Sequence, residues 1–360
     1  MENNFERMMK IIESGNITEL KALVDAMLSK LPAEDRRHFR PAILLKKFFE
    51  TRRDGYDNEE CPMKLATEKG HTEIVEYLAS EMNVDVQFKR RPNFGFNPFQ
   101  MAAYKGNLPL VQKLLEIMPE LLETKNRYGN TGLNFAAVAD RDSVVRYLVE
   151  YGANVNNKGY LGRSVISMGL TGFFNPDLLS FLIENGADCS VGDDNGDLPV
   201  HFAAETDQIR SIEILLQHCG ESLDVANNNG ETPLIKAAMK GKENIVKHLM
   251  ANGAESSKAT SNGETALHYA ARNGHLKALK ALLDNADPEM TDKDGNTILH
   301  VASKDNKAEI VRHLLEAYPT LASVANKDGK LAKDLTSQQD IATLFHEHAI
   351  TNVLSTPVDE

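Results

Sequence analysis

Residues 229–261 read NGETPLIKAAMKGKENIVKHLMANGAESSKATS, and residues 262–291 read NGETALHYAARNGHLKALKALLDNADPEMT. The same pattern is written twice. A polar turn ending in Glu-Thr leads into a short helix of Leu and Ala, a Gly closes it, and a second amphipathic helix follows. Self-similarity at a period of roughly 33 residues is the signature of a stacked repeat chain. Each unit presents an apolar face that it cannot bury alone, so successive units must pile up to form a core. The fold class that follows is all-α: a solenoid of stacked helix-turn-helix units joined by β-hairpin-like loops.

Outward from this pair the motif persists. Thr232-Pro233-Leu234-Ile235-Lys236-Ala237 and Thr265-Ala266-Leu267-His268-Tyr269-Ala270 are followed by Thr297-Ile298-Leu299-His300-Val301-Ala302 and preceded by Leu198-Pro199-Val200-His201-Phe202-Ala203. Upstream stand Ser164-Val165-Ile166, Thr131-Gly132-Leu133, Asn97-Pro98-Phe99 and Cys61-Pro62-Met63, and a worn copy begins at Leu331. The intervals between these starts all lie between 32 and 36 residues. The unit resembles the ankyrin repeat, whose core motif is Thr-Pro-Leu-His-x-Ala. Pro in the first turn costs no hydrogen bond there and presets the backbone angle. The Thr before it caps free amides, Leu and Ala at helical spacing form the packing face, and Gly241 and Gly274 supply the left-handed residue that ends the first helix.

The array is expected over residues 57–345, as about eight repeats and a degenerate C-terminal capping repeat. Residues 1–30 read as an N-terminal helical cap: Phe5, Met8, Met9, Ile11 and Ile12 form one apolar stripe, and Leu20, Leu23, Val24, Met27 and Leu28 a second. Residues 31–56 read as an inserted helical segment, and residues 346–360 as a polar tail too short to add a core. The repeat at Ser164 departs most from the motif. It lacks Pro and His, has Gly169 where Ala is expected, and replaces the usual loop with Gly172-Phe173-Phe174-Asn175-Pro176. It reads as a drifted repeat or a local bend, with Asn175 in the N-cap role.

Composition bounds the function. A solenoid of 360 residues is one continuous body rather than several globular domains. A net charge of −12 argues against general nucleic-acid binding. Three cysteines without paired spacing fit a reducing compartment. Neither a membrane span nor a signal-peptide pattern is evident. A cytoplasmic monomer is expected, or one acting in a host cytoplasm if it is a secreted effector.

No constellation carries catalysis. The cysteines have neither metal-ligand spacing nor an adjacent base. His346-Glu347-His348 places two histidines on different sides of a helix. No phosphate loop or dinucleotide fingerprint appears. No enzyme activity, cofactor or metal is expected. In the ankyrin family the motif histidine bonds backbone between repeats, so the resemblance gives His201, His268 and His300 a structural role.

The family's partner-contacting positions fall on hairpin tips and first helices. Carried onto this sequence, they give Phe94, Phe96, Tyr104, Lys105, Arg127, Tyr128, Tyr160, Leu161 and Arg163 in the N-terminal half, together with Asn93 and Asn130. The C-terminal half presents Asp194, Asp197, Glu205, Glu231, Lys240, Glu264, Arg272, Asp294, Lys304 and Asp305. Residues 84–165 hold eleven Lys/Arg against seven Asp/Glu, net +4, leaving −16 for the remainder. Aromatics interleaved with Arg are the residue types enriched at binding hot spots. Such a stretch can also stack nucleic-acid bases, but the acidic remainder favours a protein partner with an acidic or aromatic-binding segment. The resulting function is a non-catalytic protein-interaction scaffold. Two alternatives are a secreted bacterial-type effector and a ubiquitin-ligase adaptor. The second rests on Leu31-Pro32-x-Glu34 and the apolar run to Phe49, which faintly resemble the opening of an F-box.

Overall fold

The computed structural model describes residues 4–30, 62–81, 96–219 and 223–355. The inserted segment at 31–56, the F-box-like run within it, and Phe94 lie outside them. The chain divides into two compact units: Met1–Gly169 with Glu184–Ala187, and Leu170–Ile183 with Asp188–Glu360. The division falls at the last helical residue of the most divergent repeat, Gly169.

The first unit contains α1 (Asn4–Ser14), α2 (Ile17–Ser29), α3 (Pro62–Lys69), α4 (Thr72–Glu76), α5 (Pro98–Lys105), α6 (Leu108–Ile117), α7 (Gly132–Val138), α8 (Asp142–Glu150) and α9 (Val165–Gly169). The first helices of each pair pack in succession, α1 on α3, α3 on α5, α5 on α7 and α7 on α9. The second helices form another row, α4 on α6 and α6 on α8. After α10 (Pro176–Glu184), the first helices α11 (Pro199–Glu205), α13 (Pro233–Met239), α15 (Ala266–Asn273) and α17 (Ile298–Lys304) of the second unit stack likewise, alternating along the chain with α12 (Ile209–Cys219), α14 (Glu243–Ala251) and α16 (Leu276–Leu283). The core lies between the rows. Leu133, Ala136, Val144 and Leu148 fill it in the first unit; Leu267, Ala270, Leu279 and Leu282 fill it in the second.

Local chemistry explains the helix starts. Asn97 accepts from the backbone N–H of Gln100 at 2.8 Å while Gln100 returns the bond to the N–H of Asn97 at 3.0 Å, a reciprocal cap. Thr232 caps Ile235 N–H at 3.3 Å, and Asn175 accepts from Asp177 N–H at 2.9 Å, the N-cap role read for it. At the other end, Gly106 ends α5 with φ 78, and a Cβ there would meet the Arg141 side chain at 2.8 Å. Any other residue would carry both backbone strain and a clash.

The motif histidines tie one repeat to the next, as the resemblance implied. Nδ1 of His201, His268 and His300 accepts from the N–H of Leu198, Thr265 and Thr297 at 3.1, 3.2 and 3.2 Å. Nε2 donates across the repeat boundary to the carbonyls of Glu231, Asn296 and Lys330, each at 3.1 Å. Both bonds require the neutral ring, and burial pushes all three histidines below their ordinary pKa. Gln100 performs the same service, donating to the carbonyl of Asn130 at 3.1 Å. Loss of His from the motif therefore does not mean loss of the tie.

Two expectations are corrected. The final helix α19 (Gln339–Ser355) runs ten residues beyond 345, so residues 346–355 are not a tail. Ile341, Leu344 and Phe345 are buried, and the helix packs on α18 (Ala308–Ala317). Cys189, read as one of three unpaired thiols, is disulfide-bonded.

Candidate protein-interaction surface

The first unit brings most of the selected residues into two aromatic groups. In the first, Phe96 sits just before α5, with its ring 5.7 Å from Tyr104 at the end of that helix and 4.4 Å from Phe135 on α7. Phe135 was not selected from sequence. It occupies the x position of its motif, where an aromatic residue was the available signal. In the second group, Tyr128 and Tyr160 come from successive turns and meet edge to face at 5.5 Å. The Arg127 guanidinium lies 4.6 Å from the Tyr128 ring centroid and donates to the Tyr128 hydroxyl, a geometry that fixes a flexible cation over a rigid ring.

These groups are held from beneath. Asn126 Oδ1 accepts from the N–H groups of Tyr128 and Asn130, both at 3.0 Å. Asn130 Oδ1 accepts from Tyr160 N–H at 2.7 Å, which docks one turn on the next. Leu161 takes a left-handed conformation with φ 58, which costs a branched residue about 1–2 kcal/mol. Its side chain is nonetheless on the outside: Tyr104, Tyr128, Tyr160 and Leu161 are 40%, 44%, 48% and 41% exposed. Lys105 is exposed and donates to the carbonyl of Glu68 at 3.2 Å. Arg163 is half-buried, and its carbonyl accepts from Gly159 N–H at 2.8 Å to close the turn. Arg163 thus shapes the turn as well as lying on it.

A family model described as Ankyrin repeats (3 copies) matches residues 8–117, 66–159, 169–259 and 244–328. The chain belongs to the ankyrin-repeat family. It is 34% identical over 146 residues to the human B-cell lymphoma 3 protein, an alignment covering 38% of this chain and 32% of that protein. It is 31% identical over 232 residues to the mouse Protein fem-1 homolog A-like, covering 61% and 35%. It is 28% identical over 216 residues to Palmitoyltransferase AKR1 of Lachancea kluyveri, covering 58% and 29%. The chain spans about a third of the length of these curated relatives. The crystal structure of the ankyrin repeat domain of Bcl-3 aligns with 61% of this chain and 99% of its own, at 27% identity and TM-score 0.48.

Ankyrin repeats are in general protein–protein interaction modules, and the fold is typically non-catalytic. Among the described residues no helix is long and apolar enough to cross a membrane, and no group of three or more His, Cys, Asp or Glu is placed to hold a metal ion.

The acidic ankyrin repeats of the second unit differ from their sequence reading. Asp197, Glu231 and Glu264 are only 6%, 9% and 5% exposed, so they are not offered to a partner. The reason is Lys236, at the x position of its motif. Its Nζ lies 3.1 Å from Asp197, 3.0 Å from Glu231 and 3.4 Å from Glu205. Asn227 adds hydrogen bonds to Asp197 and Glu231, both at 2.7 Å. Burial works against the charge of Lys236, but its bond to Glu231 and the fields of Asp197, Glu231 and Glu205 outweigh that and raise its pKa. Arg272 likewise binds Glu264 through both terminal nitrogens and reaches Asp305 at 3.4 Å. Spacing alone could not reveal that these carboxylates are paired with Lys236 and Arg272.

Proposed function

We propose that the chain is a non-catalytic scaffold that binds a protein partner on the aromatic-basic surface of its first unit. Phe96, Tyr104, Tyr128, Tyr160 and Arg127 are the anchors, and Lys105, Leu161 and Arg163 lie at their margin. The observation that carries this reading is the exposed, edge-to-face pair of Tyr128 and Tyr160, stacked by Arg127 and held by side-chain bonds from below. Large exposed rings that are fixed in place lose little entropy on binding and bury much area. The net +4 of residues 84–165 favours an acidic partner, chiefly through the rate of encounter.

The test compares partner capture by the full chain with capture by the double variant Tyr104→Ala, Tyr128→Ala. Capture should be lost while the melting temperature is nearly unchanged. A control variant, Asp294→Ala with Lys304→Ala, alters exposed charges of the second unit and should capture normally. Capture that survives the tyrosine variant but not the control would move the partner to the second unit and overturn the proposal.

A further inference from the structure

We propose that the aromatic surface of the first unit takes an acidic, proline-rich segment of another protein in polyproline II conformation. This rests on the surface assigned above and names what it recognises.

Three modes of peptide recognition compete for such a surface: strand addition, a helix in a groove, and polyproline II docking. Strand addition needs a row of free backbone donors and acceptors. Here the turn amides are already engaged: Asn126 and Gly129 with Asn130 and Asn126 carbonyls, each at 3.0 Å, and Gly159 and Gly162 with Arg163 and Gly159 carbonyls at 2.8 and 3.1 Å. The amides of Tyr128, Asn130 and Tyr160 are held by asparagine side chains. No strand edge occurs among the described residues of this unit. A docked helix needs a continuous aliphatic trough, whereas this surface offers hydroxyl-tipped rings and Leu161.

Polyproline II fits what remains. It has no internal hydrogen bonds, so its carbonyls are open to donors, and the hydroxyls of Tyr104, Tyr128 and Tyr160 are donors on exposed rings. The Tyr128 hydroxyl accepts from Arg127, which leaves its own hydrogen to give. Proline rings pack on aromatic side chains, and the polyproline II helix arrives already ordered, so little entropy is lost. Lys105 and Arg127 on the exposed side select carboxylates between the prolines.

The experiment is fluorescence anisotropy of labelled peptides of roughly twelve residues, about four polyproline turns, titrated with the full chain. The first is a Pro-Pro-Glu repeat; the second replaces every Pro by Gly at equal charge; the third replaces every Glu by Lys. The first should bind, the second at least about tenfold more weakly, and the third not at all; Tyr128→Ala with Tyr160→Ala should weaken the first about tenfold. Tyr128→Phe keeps the ring and removes the hydroxyl, so partial loss there separates hydrogen bonding from misfolding. Equal binding of the Pro and Gly peptides, both lost in the tyrosine variant, would overturn the proline assignment and leave the surface standing. Binding of the first peptide that no tyrosine variant alters would remove the surface assignment too. Failure of the first peptide to bind overturns the inference, and the capture experiment then decides the surface independently.

Discussion

The first-helix faces of the two units solve the same packing problem with opposite chemistry. At the x position of the motif the first unit has Met101, Phe135 and Met168, and its tips carry exposed Tyr128 and Tyr160. In the second unit the x positions include Lys236 and Tyr269, and the residues around them are Asp197, Glu205, Glu231, Glu264 and Arg272. By formal charge the second unit looks the stickier surface for a basic partner. Its carboxylates are instead satisfied internally by Lys236 and Arg272. In the first unit, Tyr104, Tyr128 and Tyr160 are left partly outside: Tyr104 packs on Phe96, and Tyr128 on Tyr160 and Arg127, while their exposed faces stay open. A charged residue in the sequence is thus not always a charged contact on the surface, and an exposed aromatic is the better guide.

This contrast can be broken or sharpened by measurement. The largest effect is expected from Lys236→Met. Removing the cation strands buried carboxylates, which should cost about 3–5 kcal/mol in urea unfolding of the full chain. A loss under about 1 kcal/mol would show that the second face is not internally locked. Next comes Leu267→Ala, which empties a fully buried position and should cost about 2–5 kcal/mol. A smaller change is expected from pH. His201, His268 and His300 have folded pKa values below the unfolded one, so below about pH 6.5 the unfolded chain binds the extra protons. Their contribution is fully present above that pH and is lost as the pH falls towards the folded values. Substituting all three with Gln, as at position 100, should flatten this dependence between pH 7 and 5 while keeping the ties. An unchanged slope would place the pH sensitivity elsewhere. The smallest effects belong to the first face: Tyr128→Ala, Tyr160→Ala and Leu161→Ala should each shift stability by no more than about 0.5 kcal/mol. A loss comparable to that of Leu267→Ala would make these residues part of the core and leave the first face no more available than the second.

Much of this was legible in the sequence. The period, the Thr/Asn caps, the Pro starts, the Gly stops and the apolar faces are local signals whose physics acts within a few residues. They placed the repeats, and the family's contact positions led to the tyrosine pair. What local signals could not carry was every outcome set by a residue about 30 positions away. Whether Asp197 is a surface charge depends on Lys236, 39 residues on. Whether Phe96 stands alone depends on Phe135. Whether the last helix docks on the stack depends on α18, against which Ile341, Leu344 and Phe345 are buried. The sequence by itself determined the repeat and its stacking, because each unit must bury the same stripe against a near copy of itself. Only the tertiary structure decided which polar groups that stacking consumes. Desolvation and pairing depend on what the next repeat brings within about 4 Å, and that neighbour is set by the stack rather than by the local chain.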